Sequence, residues 1–249
     1  MNGKFAGPSR RSFLAGTALA AQAPGAQRAG GPRLRVVCVG GHPDDPESGC
    51  GGTLARYAEQ GHSVTIIYLT RGEAGIPGKS AAESAAIRSA EAEKACRILG
   101  ARPVFAGQID GATEFNRRRV EVFGELLLAQ QPDVVLTHWP VDSHMDHQVA
   151  SLLVYRTFVA YPQRFSLYYF EVNLGSQTMG FHPTHYVDIT ATRAKKKAAL
   201  YAHASQDPEG IYRKHHEIME NFRGRESGVA AAESFVHLDR VYPPDRLPG

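Results

Sequence analysis

Cysteine is scarce, with three in 249 residues, and no two of them stand in Cys-x-x-Cys spacing. That excludes a structural zinc knot of the finger or ribbon type. Cys38 falls in an apolar run, Cys50 in the glycine turn Gly49-Cys50-Gly51-Gly52 and Cys96 in a helical stretch, and no disulfide is expected. Charge of one sign is equally scarce. There are 28 basic against 25 acidic side chains, and no basic run exceeds the triplets Arg117–Arg119 and Lys195–Lys197. Both triplets fall in helical stretches, where they read as solvated faces, and nothing here favours nucleic acid as a partner. An apolar run long enough to span a bilayer is also missing.

What is present begins with an address. Ser9-Arg10-Arg11-Ser12-Phe13-Leu14 is a twin-arginine pattern, and Phe13 to Ala21 forms a short apolar stretch rich in small residues. Ala18-Leu19-Ala20 and Ala21-Gln22-Ala23 both suit cleavage. We read residues 1–23 as a twin-arginine signal peptide, 24–32 as a Pro/Gly-rich linker, and 33–249 as one domain exported to the periplasm or beyond. Such a protein folds before export in a reducing compartment, so free buried thiols are expected. Removing residues 1–20 deletes Lys4, Arg10, Arg11 and no acid, which takes the formal charge from +3 to 0. The positive excess belongs to the address. The remainder, in a chain with 43% hydrophobic residues, suffices for a single full core.

Strand and helix patterns then alternate. Short β-branched or aromatic runs at Leu34–Val39, Val64–Leu69, Pro103–Ala106, Asp133–Thr137, Ser166–Val172 and His185–Ile189 read as strands. Helical stretches are expected at 51–60, 81–99, 117–130, 147–160, 191–203 and 210–222. This alternation implies an α/β fold, Rossmann-like, three-layered α/β/α, with a mostly parallel sheet. In such sheets ligands bind beyond the carboxyl ends of the strands, where the strand order reverses. An order such as 3-2-1-4-5 makes the first and fourth strands neighbours at that reversal.

Those two strands carry the chemistry. His42-Pro43-Asp44-Asp45 follows the first, and Asp142-Ser143-His144-Met145-Asp146-His147 follows the fourth. Histidine and carboxylate hold a hydrolytic zinc while leaving a position open for water. Five groups stand out: His42, Asp44, Asp45, His144 and His147. They match three ligands, a base and an oxyanion donor, but spacing leaves the assignment open. Asp142 or Ser143 suits the N-cap of the following helix. Glu73 and Asp110 read as turn-formers, and Tyr168-Tyr169-Phe170 as core. His182, His185, His215, His216 and His237 receive no role. Gly49-Cys50-Gly51-Gly52 lacks dinucleotide-fingerprint spacing, and the acids beside it would repel a pyrophosphate.

These motifs, with Leu69-Thr70-Arg71-Gly72-Glu73, Ile87-Arg88-Ser89-Ala90-Glu91, His203-Ala204-Ser205-Gln206 and Ala232-Glu233-Ser234-Phe235, resemble the PIG-L (LmbE-like) family of zinc-dependent N-acetylglucosamine deacetylases. The resemblance runs from about Leu34 to Phe235. It implies one Zn2+ per chain on His42, Asp45 and His147, although iron or cobalt would suit the same ligands. It further implies that Asp44 is the general base, paired with Arg88, and that a protonated His144 steadies the oxyanion, oriented and charged by Asp146. Pro46 departs from the pattern, in which glutamate directly follows the second aspartate; here Glu47 comes one place later. The expectation is an exported hydrolase that removes an acetyl group from a small molecule or glycan bearing an N-acetylated amino sugar, with the twin-arginine machinery as its export partner. The alternatives are a metal hydrolase of another amide or ester, or a non-catalytic sugar- or metal-binding protein of the same fold.

Overall fold

In the computed structural model, residues 32–161, 164–173 and 177–238 are described. The twin-arginine segment and all but Pro32 of the linker lie outside them.

Seven strands form one sheet in the order β3-β2-β1-β4-β5-β7-β6. They are β1 (Arg35–Gly40), β2 (Ser63–Tyr68), β3 (Arg102–Phe105), β4 (Val134–His138), β5 (Ser166–Phe170), β6 (His185–Asp188) and β7 (Ala232–His237). The first five are parallel, while β7 pairs antiparallel with both β5 and β6. The mostly parallel single-domain α/β fold is therefore as the sequence implies. The insertion of β7 between β5 and β6 is not foreseen by it.

Period-two alternation along β1 separates the two cores. Val36 and Cys38 point to a cluster with Leu54, Ile66, Ala92 and Leu99. Val37 and Val39 point to the opposite one, with Phe123, Leu127, Val135, Leu153 and Phe158. The first face is covered by α1 (Asp45–Glu59), α2 (Ala81–Leu99) and α5 (Arg193–Tyr201). The second is covered by α3 (Arg117–Ala129) and α4 (Met145–Ala160). Each fully buried leucine or isoleucine contributes roughly 1.5–3 kcal/mol as an upper estimate. Among the described residues no helix is long and apolar enough to cross a membrane.

Four expectations change. The Gly49–Gly52 segment lies within α1, which begins at Asp45 with Pro46 in its first turn and kinks at Cys50 (φ -148, ψ 20). Its glycines serve packing: a Cβ at Gly49 would stand 2.3 Å from the Phe170 ring, and one at Gly52 2.7 Å from Ile189. Helix α4 is capped by His144 itself, whose side chain accepts from the Asp146 N–H. Of the Lys195–Lys197 triplet, Lys195 and Lys197 are exposed as expected, but the Lys196 ammonium is buried between Glu220 (3.1 Å) and Glu233 (2.8 Å). Finally, the helix expected over 210–222 divides into α6 (Pro208–Ile211), a π-helical turn (Tyr212–His216) and α7 (Glu217–Ser227).

Candidate active site

Chain reversal immediately after β1 sets the site. Gly41 is held by its N–H on His138 Nε2 (3.0 Å), and a Cβ there would stand 2.9 Å from the His147 ring. Only glycine lets the two loops approach so closely. Asp44 follows with φ 115, a conformation that strains a residue with a Cβ. That turn aims Asp44 and Asp45 separately.

Asp45 Oδ2 is the hub. It accepts from the His42 N–H at 2.7 Å and lies 3.1 Å from both His42 Nδ1 and His147 Nε2. The far nitrogen of each histidine is taken by another carboxylate. His42 Nε2 is 2.9 Å from Asp146 Oδ2 and 3.2 Å from Asp110 Oδ1. His147 Nδ1 is 3.3 Å from Asp142 Oδ1, with the Gln177 amide 3.1 Å away. Carboxylates on the outer nitrogens fix ring tautomers and leave the inner nitrogens as donors to a metal. Tetrahedral ligands at 2.0–2.2 Å from an ion stand about 3.4 Å from one another. The contacts of Asp45 Oδ2 with His42 and His147 are close to that, and among the described residues ligand atoms near enough to share an ion group as His42–His144–His147, Asp45–His138–His147 and His42–Asp110–Asp146, so the cluster could hold a divalent cation.

Electrostatics support the same reading. Burial opposes charge on His147, but Asp45 and Asp142 outweigh it and lift its pKa to about 9. Burial likewise opposes charge on His42, yet Asp110, Asp146 and Asp45 raise it well above the ordinary value. Asp45 is held well below the carboxylate range, since His147 and His42 overcome its desolvation. An anionic oxygen between two histidines ready to bear positive charge is a place for a cation to replace protons.

His138, the last residue of β4, also sits in this cluster. Its ring stacks on His147 at 4.0 Å, and its Nε2 is 3.5 Å from Asp45 Oδ2. That nitrogen's lone pair is already occupied by the Gly41 N–H. Burial, followed by the charge on His147, lowers its pKa to about 4. His138 is a neutral buttress for the loop, not a free ligand.

Asp44 keeps apart from the trio. Its Oδ2 pairs with Arg88 Nη2 at 3.1 Å, as the family resemblance implied. The same Nη2 donates to the Pro43 carbonyl. Helix α2, capped by Ser80 and Glu83, carries this arginine inward, and Gly72 and Gly75 leave space for it. Burial pushes the Asp44 carboxyl up to about 6, with Arg88 pulling down and Asp45 pushing up. A carboxylate so poised can accept a proton near neutral pH and return it.

Two expectations about the second cluster are corrected. The Asp146 carboxylate does not address His144. Its carboxylate binds His42 Nε2, the Thr113 hydroxyl and the Gly111 N–H. Those bonds outweigh its desolvation and hold its pKa below the usual range. Nor is His144 made cationic: desolvation, His42 and His147 together lower its pKa. Because its Nδ1 accepts from the Asp146 N–H at 3.3 Å, the neutral ring carries its proton on Nε2. Its ring lies 4.6 Å from His42 and 4.7 Å from His147, at the mouth of the site.

The cleft above these residues measures about 660 Å³ and takes walls from the loops after β1 to β5 and from the C-terminal helices. Asp110, read as a turn-former, lines it as well as receiving the Ala74 N–H. Glu73 remains a turn-former, accepting from the N–H groups of Arg71 and Asp110. Glu47 is outside the cleft: it is fully buried, accepts from the Tyr68 hydroxyl at 2.6 Å and lies 3.3 Å from His203 Nε2. Gln206 reaches the cleft and His203 does not, whereas His215 and His216 do, contrary to the sequence reading. All three cysteines are free, with Cys38 and Cys50 sulfurs 3.3 Å apart in the core.

Comparison with known proteins bears on this arrangement. The family model PIG-L, GlcNAc-PI de-N-acetylase, matches residues 37–158. A diacetylchitobiose deacetylase of Thermococcus kodakarensis is 32% identical over 194 residues, covering 72% of each chain. The solved N,N'-diacetylchitobiose deacetylase of Pyrococcus horikoshii superposes with TM-score 0.71 at 26% identity, covering 82% of this chain and 83% of that one. A 4-oxalmesaconate hydratase of Pseudomonas putida is 25% identical over 235 residues, covering 85% of this chain and 91% of its own.

Proposed function

From the premise that this chain belongs to the PIG-L family, we propose that it is a metal-dependent hydrolase removing the acetyl group from a molecule that contains N-acetylglucosamine. The observation that carries the reading is the division of labour between adjacent aspartates. Asp45 Oδ2 meets His42 Nδ1 and His147 Nε2, while Asp44 turns away to Arg88. A site that only stored a cation would have no use for the second, strained carboxylate.

The trio His42, Asp45 and His147 would hold the ion, with zinc the metal we assign. A divalent cation bound there supplies Lewis acidity and makes water a nucleophile at neutral pH. The chain's own groups do the rest. Asp44 takes a proton from the attacking water and gives it to the departing amine nitrogen, so that acetate and a free amine result. Arg88 holds Asp44 in place and favours its ionised form. His144 donates its Nε2 proton in a hydrogen bond to the carbonyl oxygen as negative charge gathers there. Asp146 and Asp142 orient His42 and His147. Export by the twin-arginine route, carried by Ser9–Leu14, completes the proposal.

The deciding variant is Asp44→Asn, tested on metal-loaded protein for both metal content and acetate release. Retained metal with hydrolysis reduced by about 10²–10⁴-fold supports the assignment. Undiminished hydrolysis would remove Asp44 from the mechanism. Water addition to 4-oxalmesaconate, with no acetate from any acetamido sugar, would place the chain beside the hydratase relative instead.

A further inference from the structure

We propose that Gln206 is a specificity-determining residue of this cleft, its side-chain oxygen accepting a hydrogen bond from a hydroxyl group of the amino sugar. The inference rests on the deacetylase reading and adds the part of the site that reads the carbohydrate.

The runs Ile87–Glu91 and His203–Gln206, both singled out in the sequence, meet here. On α2, Arg88 and Glu91 stand three residues apart, on one face of the helix. Arg88 reaches Asp44, and Glu91 reaches the short helical turn Ala204–Gln206. One Glu91 oxygen accepts the Ser205 N–H at 2.8 Å, and the other accepts the Ser205 hydroxyl at 2.7 Å. The helix that holds the base thus also holds the turn that carries Gln206.

A count of hydrogens then fixes the Gln206 amide. Its Nε2 donates to the Gly75 carbonyl at 3.1 Å and to Ser205 Oγ at 3.0 Å. A carbonyl only accepts, so turning the amide end for end would set two oxygens against each other. Ser205 Oγ gives its own proton to Glu91 and is free to accept. Both amide hydrogens are spent, and Oε1 is the one group left. It accepts no hydrogen bond among the described residues, yet it is not enclosed as the idle ring nitrogens of His203 are. Gln206 is half-buried and borders the cleft, as Gly75 does. The cleft wall therefore offers an open acceptor whose direction is set by Gly75, Ser205 and Glu91.

Position and chemistry select the ligand. Gly75 packs against Arg88, since a Cβ there would collide with Nη1 of the guanidinium that holds Asp44. Gln206 therefore stands on the Asp44 side of the cleft. In the proposed reaction Asp44 serves the amide nitrogen, so the ring atoms next to that nitrogen face the same wall. An oxygen whose own amide hydrogens are spent takes only a donor. An N-acetylated amino sugar is neutral, and apart from its amide N–H its donors are hydroxyls. Anionic groups are disfavoured, with Asp44, Asp45 and Asp110 in the same cleft.

The test compares metal-loaded wild type with Gln206→Met, which keeps length and removes the acceptor, and Ser205→Ala, which keeps Oε1 and frees one amide hydrogen. Substrates are N-acetylglucosamine and its 3-, 4- and 6-deoxy forms; metal content and Tm are recorded for each protein. Loss of one hydrogen bond made equally in ground and transition states raises KM about 3–10-fold and leaves kcat within about twofold. We expect that split in Gln206→Met, a smaller rise in Ser205→Ala, and one deoxy sugar that wild type and Gln206→Met handle alike. A merely structural role would weaken every sugar equally. An unchanged KM, a fall confined to kcat, or an equal loss on every sugar would overturn the proposal. If wild type releases no acetate from any of them, the deacetylase reading fails separately. Calorimetric titration of the same sugars then decides the inference: weaker binding of all but one sugar in Gln206→Met sustains it, and any other pattern overturns it.

Discussion

His42 Nε2 lies 2.9 Å from Asp146 Oδ2, joining residues 104 positions apart at the carboxyl ends of two neighbouring strands. The bond places the Asp146 carboxylate behind a metal-facing histidine. It also explains why Thr113 and Gly111, from the loop after β3, converge on Asp146 as well. Three strand ends are thereby tied into one rigid support for the His42 ring.

Removing that support should be felt in metal affinity before chemistry. Asp146→Ala is expected to weaken metal binding by roughly 10–100-fold, the usual cost of losing a carboxylate behind a metal-bound histidine. Competition with a chromogenic chelator measures it. Unchanged affinity accompanied by a fall in kcat would return Asp146 to a role on His144.

The acid side of the pH–rate profile should report Asp44. Its carboxyl is raised to about 6, chiefly by burial. As the base it must be ionised, so kcat/KM falls as pH drops through that value. A bound cation beside it favours the charged form, so the limb is expected at or below about 6. Arg88→Met removes the other nearby positive charge and should move the limb upward. A limb that stays in place in that variant would show that another group titrates.

Packing at α1 gives a stability test free of the chemistry. A Cβ at Gly49 would lie 2.3 Å from Phe170, within a closed core. Gly49→Ala is expected to destabilise by about 1–3 kcal/mol through overpacking. In a domain of this size that lowers Tm by roughly 2–12 °C. An unchanged melting temperature would mean that the helix shifts freely on the sheet, against its close packing on Ile189.

Export is open to a direct check. Replacing Arg10 and Arg11 together by lysine should retain the full-length precursor in the cytoplasm of a host with a working twin-arginine system. Fractionation of wild type and variant measures it. Equal distribution of the two would remove the signal assignment.

Much of the fold could be read from local sequence, because β1, β2 and β4 are short β-branched runs bounded by polar turns. The adjacency of β1 and β4 followed from strand alternation, and it brought His42, Asp45, His144 and His147 together. What escaped reading depends on long-range contact. Asp110 reaches His42 from the loop after β3 and Asp146 from the first turn of α4, and no spacing rule reveals which carboxylate faces which nitrogen. His138 is one ordinary strand residue until Gly41 donates to it. The π turn has no periodic signature, so His216 read as part of one continuous helix. Strand β7 carries Glu233 inward to cap Gly52 and Thr53 and to hold Lys196, an inward charge that obscures its alternation.

The most direct measurement is acetate release by the metal-loaded protein from N-acetylglucosamine and short chitooligosaccharides, beside a chelated control. We expect release that chelation abolishes and added zinc restores. A fully metal-loaded protein that frees no acetate from any of these sugars would contradict the proposed deacetylation.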